Sequence, residues 1–97
     1  MIDSLTARDF SKTVGTSSTL IIAPNSYREW VAIVNQGANN VWLRLGAAAE
    51  ADKGIFLING GGNAVFDKRE MPWYGEIYGI ADSVASKITC QEVEVLH

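Results

Sequence analysis

Polar and apolar residues alternate along much of this chain with a period of two, in short runs separated by turn residues. Phe10, Lys12 and Val14 alternate with Ser11 and Thr13, as in a β-strand whose two faces meet different surroundings. Gly15, Thr16, Ser17 and Ser18 break that run, and a β-rich stretch over 19–23 ends at the turn signal Pro24-Asn25-Ser26. Residues 29–35 are apolar on both parities, which predicts a central strand covered on both sides, with Trp30 in the core. Gln36, Gly37, Ala38, Asn39 and Asn40 have the length and chemistry of a hairpin loop. In the returning strand Val41, Leu43 and Leu45 form a core face, and the opposite face carries Trp42 beside Arg44.

Gly46 and Gly54 bracket the single helix-favouring stretch, which has room for one helical turn within a loop. A short strand over 55–58, a sharp glycine turn at Gly60-Gly61-Gly62 and a returning strand over 64–67 follow. Pro72 breaks the chain again, since it cannot sit inside a ladder. A strand over 76–81, a turn at Asp82-Ser83 and a last strand over 86–96 complete the chain. In that last strand Ile88 and Cys90 share one parity while Val93 and Val95 share the other. A β-bulge near Gln91-Glu92 reconciles them and leaves Glu92 and Glu94 facing water. Seven to eight short strands without a convincing helix predict an all-β fold: a single antiparallel β-sandwich, jelly-roll-like. Residues 1–18 read as either an N-terminal arm or a first strand, and 19–97 as the sandwich domain.

The 97 residues suffice for one modest core, and 47% apolar with 20% charged residues is a globular balance. The net charge of −3 lacks the basic stripe that nucleic acid requires. Lys68-Arg69, flanked by Asp67 and Glu70, reads as a solvated turn. Residues 1–9 have neither a basic nor an apolar signal-peptide region, and no run reaches the ~18 residues of a membrane helix. Neither nucleic acid nor membrane is an expected partner.

Chemistry is sparse. His97, the single histidine, is the last residue, and Cys90 is the single cysteine. Neither a catalytic triad nor a transition-metal cluster can be assembled from them. Glu50, Asp52, Asp67 and Glu70 follow no calcium-loop spacing, and the glycine run lacks the Lys-Ser/Thr of a phosphate loop. The expectation is therefore a protein with no catalytic, metal or cofactor-binding residues. What remains are aromatics. Trp42 with Arg44, and Met71, Trp73 and Tyr74 at a loop tip, are residue types enriched at protein interfaces. Trp42 and Trp73 are read either as partner contacts or as intramolecular packing.

The segments Arg28-Glu29-Trp30-Val31-Ala32-Ile33-Val34-Asn35-Gln36-Gly37 and Asn40-Val41-Trp42-Leu43-Arg44-Leu45-Gly46 resemble small virion proteins of tailed bacteriophages. So do the order Ala47-Ala48-Ala49, Lys53-Gly54-Ile55 and Gly60-Gly61-Gly62, the segment Gly75-Glu76-Ile77-Tyr78-Gly79-Ile80-Ala81, and the closing Glu92-Val93-Glu94. The likeness spans roughly residues 19–96. It implies a β-sandwich assembled in many copies, with no cofactor. The implied partners are the major capsid protein or another virion protein, with homo-oligomers formed. It places the chain in the virion after synthesis in the host cytoplasm. A capsid decoration or cement protein is the leading expectation, and a tail adaptor or fibre-base subunit the second. A third, of another class, is a carbohydrate-binding module with Trp42, Trp73 and Tyr74 as a stacking platform.

Overall fold

The structure is a computed structural model that describes residues 4–95. The expectations for His97 and for the end of the last strand at Leu96 lie outside the described residues. Eight strands run in the order β1 (Leu5–Val14), β2 (Thr19–Ile22), β3 (Arg28–Asn35), β4 (Val41–Leu45), β5 (Ile55–Leu57), β6 (Gly62–Asp67), β7 (Ile77–Ala81) and β8 (Ser86–Val95). They form two four-stranded sheets, β1-β8-β3-β6 and β2-β7-β4-β5, and every pairing is antiparallel. Within the sheets β1 pairs with β8, β2 with β7, β3 with β6 and β4 with β5. The chain is thus one long hairpin, folded at β4–β5 and rolled into two layers, which is the jelly-roll arrangement.

The core lies between the sheets and follows from the alternation. Val31 and Ile33 of β3, Val41 and Leu43 of β4, Ile77 of β7 and Ile88 of β8 are fully buried, while Trp42, Tyr78 and Ile80 point outward and are half-buried. Within the second sheet the space beside Gly79 is filled by its neighbours, and a Cβ there would lie 2.6 Å from Ile21 Cδ1 and 3.5 Å from Leu43 Cδ2. A larger residue there would displace a core isoleucine.

Two expected hairpins are instead crossings between the sheets. β3 and β4 lie in different sheets, as do β5 and β6. Asn35 makes the first corner. Fully buried at the end of β3, it donates from Nδ2 to the carbonyls of Asn39 (2.7 Å) and Leu57 (3.0 Å). Its Oδ1 accepts from Gly37 N (3.2 Å) and Ser86 Oγ (2.8 Å). Gly37 fits because a Cβ would lie 2.1 Å from Ser86 Oγ. At the second corner Gly60 and Gly61 have φ of 70° and 134°, the freedom their sequence suggests. The stretch 46–54 contains no helical turn; Asp52 and Gly54 at positive φ (66° and 91°) reverse the chain there.

The predicted bulge and the two solvent-facing glutamates are also corrected. β8 pairs with β1 in unbroken register from Ser86 to Val95; the shift lies across from it in β3, between Arg28 and Trp30. Strict alternation therefore carries Glu92 inward along with Ile88 and Cys90. Glu92 is fully buried and Glu94 half-buried. Arg28, 2% exposed, lies beside Glu92 with Nε 2.7 Å from Oε2. Arg8 bonds to Glu92 Oε1 and places Nε 3.4 Å from Glu94 Oε1. The same alternation turns Trp30 outward, so it is half-buried on the outer face and absent from the core. β3 is central, but only one of its faces is covered by the other sheet.

Candidate protein–protein interface

The residues singled out from the sequence fall into two groups. Met71, Trp73 and Tyr74 lie in the segment between β6 and β7. Arg28 holds this segment from inside, donating from Nη1 to the carbonyls of Trp73 (2.9 Å) and Gly75 (3.1 Å) and from Nη2 to that of Ala23 (2.8 Å). Trp73 turns back onto its own domain. It packs against the core, donates from Nε1 to the Glu76 carbonyl at 3.0 Å, and lies where Cβ atoms on Gly46 and Gly75 would come within 3.2 and 2.9 Å of it. Met71 and Tyr74 remain exposed, at 60% and 38%.

Trp42 and Arg44 lie on the outer face of the second sheet, and the register supplies neighbours that sequence reasoning missed. Trp42 is flanked by Ile80 of β7 and Phe56 of β5; Arg44 is opposite Tyr78, which in turn faces Leu20 of β2. The Trp42 and Phe56 rings are 5.5 Å apart and tilted by 50°, a favoured aromatic geometry. Phe56 is 48% and Leu20 40% exposed. Arg44 donates to the Ala48 carbonyl (3.3 Å) and to Glu50 Oε2 (3.2 Å). Leu20, Phe56, Tyr78 and Ile80 come from three strands far apart in sequence, so no local motif marks them. Their signal is the outward parity of each strand.

The outer face of the first sheet differs. Trp30 is aligned with Val93, Ala32 with Gln91 and Val65, and Val34 with Thr89. Asp9 and Ser11 of β1 continue the polar rows, and a shallow trough of about 500 Å³ runs over Trp30, Ala32 and Val34. This face is striped, whereas that of the second sheet is apolar with one cation. A coplanar sugar-stacking platform of Trp42, Trp73 and Tyr74 is not formed: Trp73 packs on the core, and the partner of Trp42 is a tilted Phe56.

Cys90 is buried on β8. Burial, and secondarily the charge of Glu92, pushes its thiol pKa up to about 11. A thiol so placed reacts slowly, because the thiolate is the nucleophile. Native protein is expected to resist a thiol-reactive dye that labels it promptly in denaturant. Equally rapid labelling under native conditions would show that the first sheet opens readily.

No family model and no curated protein sequence matches the chain. Among solved structures it is similar to a chain from Bacillus endospore appendages, described as a family of disulfide-linked pili. The likeness covers 97% of this chain and 88% of that one, with a TM-score of 0.55 and 14% sequence identity. The only cysteine in the present sequence is the buried Cys90. What the two chains share is the fold, a small two-sheet β-domain.

Proposed function

We propose that this chain is a non-enzymatic structural subunit, incorporated in many copies into a larger protein assembly. Its finer placement is a decoration protein that binds and stabilises the major capsid shell of a tailed-phage virion. The observation that carries the reading is the outer face of the second sheet, where Trp42, Phe56, Tyr78 and Leu20 cluster on the side away from the first sheet, with Phe56 and Leu20 exposed. Aromatic surface of this kind gains stability when a partner covers it. The resemblance over residues 19–96 supports the virion as the setting. A second reading, a tail or fibre component, is favoured by the likeness to a chain from pili.

Quantitative mass spectrometry of purified particles tests both. A stoichiometric ratio to the major capsid protein, or a simple fraction of it, is expected for a shell decoration. A few copies per particle would move the chain to the tail, and absence from particles would overturn the virion reading.

A further inference from the structure

The first strand is held to the sandwich in two different ways along its length. In residues 10–14, Phe10 packs against the core and Val14 is fully buried. In residues 5–9 no side chain is buried: Leu5 is 61% exposed, Ala7, Arg8 and Asp9 are exposed, and Thr6 is half-buried. A gap of about 360 Å³, lined by Arg8, Asp9, Phe10, Ile22 and Ala23, lies beside this half. Besides the ladder with β8, what fastens it is polar. Arg8 bonds to Glu92 Oε1 and places Nε 3.4 Å from Glu94 Oε1, and Gln91 donates to Asp9 Oδ1 at 2.7 Å. We propose that residues 5–9 form a charge-latched strap, which lifts off β8 as one unit while residues 10–14 stay in the sheet. The inference goes beyond the structural-subunit reading and stands without it.

Three features keep the opening local. Five residues with no buried apolar side chain give up little of the hydrophobic stabilisation that holds the rest of β1. The strand they leave stays ordered, since Glu92, Val93 and Glu94 remain paired with Val31, Trp30 and Arg28 of β3. The buried carboxylate is not orphaned either. Its Oε2 keeps Arg28 at 2.7 Å, while Oε1 exchanges Arg8, a side chain 57% exposed, for water. An ion pair with one solvated member contributes modestly, so its release costs little. The hinge falls between Asp9 and Phe10, where the anchored side chains begin. Because the latch is electrostatic, the charge at position 8 and the salt concentration set how often the strap is open.

Native hydrogen exchange followed by NMR at neutral pH reads the strap directly. The outer set is the ladder amides of 5–9 and their partners in 91–95, and the inner set those of 10–14 and 86–90. In wild type the outer set is expected to share one opening and to exchange at least about ten-fold faster than the inner set. Arg8→Met is expected to speed the outer set at least about three-fold further and to leave the inner set unchanged. Arg8→Lys, which keeps the charge, is expected to fall between the two. In about 1 M salt, where the screening length is about 3 Å, wild-type outer rates are expected to approach those of Arg8→Met, whose own rates stay unchanged.

A graded rise in exchange from Asp9 back to Leu5, with no step at Phe10, overturns the proposal, since that is fraying and not a hinged unit. Equal acceleration of both sets by Arg8→Met also overturns it, because Arg8 would then hold the whole sandwich. So does an outer set that responds to neither Arg8→Met nor salt, which would show that the ladder alone closes the strap. The salt series on the wild type decides the matter by itself where a variant fails to fold.

Discussion

Glu92→Gln is expected to lower the melting temperature by on the order of 15–25 °C, the largest effect of any single substitution considered. Among the described residues Glu92 is the one carboxylate bonded to the buried Arg28, and its replacement removes that counter-charge and leaves the guanidinium to the carbonyls of Trp73, Gly75 and Ala23. Breaking a buried pair from one side costs roughly 3–5 kcal/mol, far more than the pair itself is worth against apolar substitutes. That asymmetry provides a check. The double variant Arg28→Met/Glu92→Leu is expected to be no less stable than Arg28→Met alone, because without Arg28 the buried glutamate keeps only a partly solvated cationic partner, Arg8, among the described residues. A Glu92→Gln protein melting within about 5 °C of wild type would mean that the pair does not hold the β3–β8 region together.

The same contacts set an acid limit. Burial by itself raises the Glu92 pKa, but hydrogen bonds from Arg28 and Arg8 and the Arg28 charge outweigh it, and the net shift is downward. A carboxylate with a lower pKa in the folded state contributes stability that is fully present above its unfolded value, about 4.3, and lost as pH falls through the folded one. Stability from this group is therefore constant from neutral pH to about pH 5 and declines below about pH 4. Other carboxylates titrate there too, so the informative quantity is the difference between wild type and Glu92→Gln. That difference is expected to shrink as pH falls; identical acid limbs would show that Glu92 is not shifted.

Asn35→Leu is expected to cost about 3 kcal/mol, or about 15 °C in melting temperature, although it keeps side-chain volume and adds apolar surface. Asn35 closes four hydrogen bonds at the corner where the chain leaves one sheet for the other. Leucine leaves buried partners unpaired, and each such group costs more than a typical bond contributes. Ser86→Ala removes one donor to the same cluster and is expected to cost about 1 kcal/mol. The double variant is expected to fall short of the sum, because the two residues share a bond. Thermal melts of the three proteins decide the matter, and an Asn35→Leu protein as stable as wild type would show that the corner is held by strand packing instead.

Much of this architecture can be read from residue order because it depends on local properties. Period-two alternation places strands near their observed positions, and Pro24-Asn25 and Gly60-Gly61 mark real reversals of direction. The outward placement of Trp42 and Arg44 follows from counting along one strand. Trp73 does not yield to such counting. Its loop-tip position and aromatic character suit an interface, but Gly46, Gly75 and the Glu76 carbonyl give it a seat on its own domain. The patch around Trp42 is only partly legible for a related reason. Phe56, Tyr78 and Leu20 join it through register between strands remote in the chain.

The sequence by itself determined what is local: strand-forming segments, their turns, and the core and outer faces of β4. Tertiary structure decided what depends on pairing. A loop such as 36–40 has the same length and turn chemistry whether it closes a hairpin or crosses between sheets, and the choice lies with Asn35, Leu57 and Ser86 meeting at one corner. Likewise, a glutamate on β8 is an unlikely core residue until Arg28 arrives from the neighbouring strand to neutralise it. Burial of charge is a property of the pair, and pairs are made only when the sheets assemble.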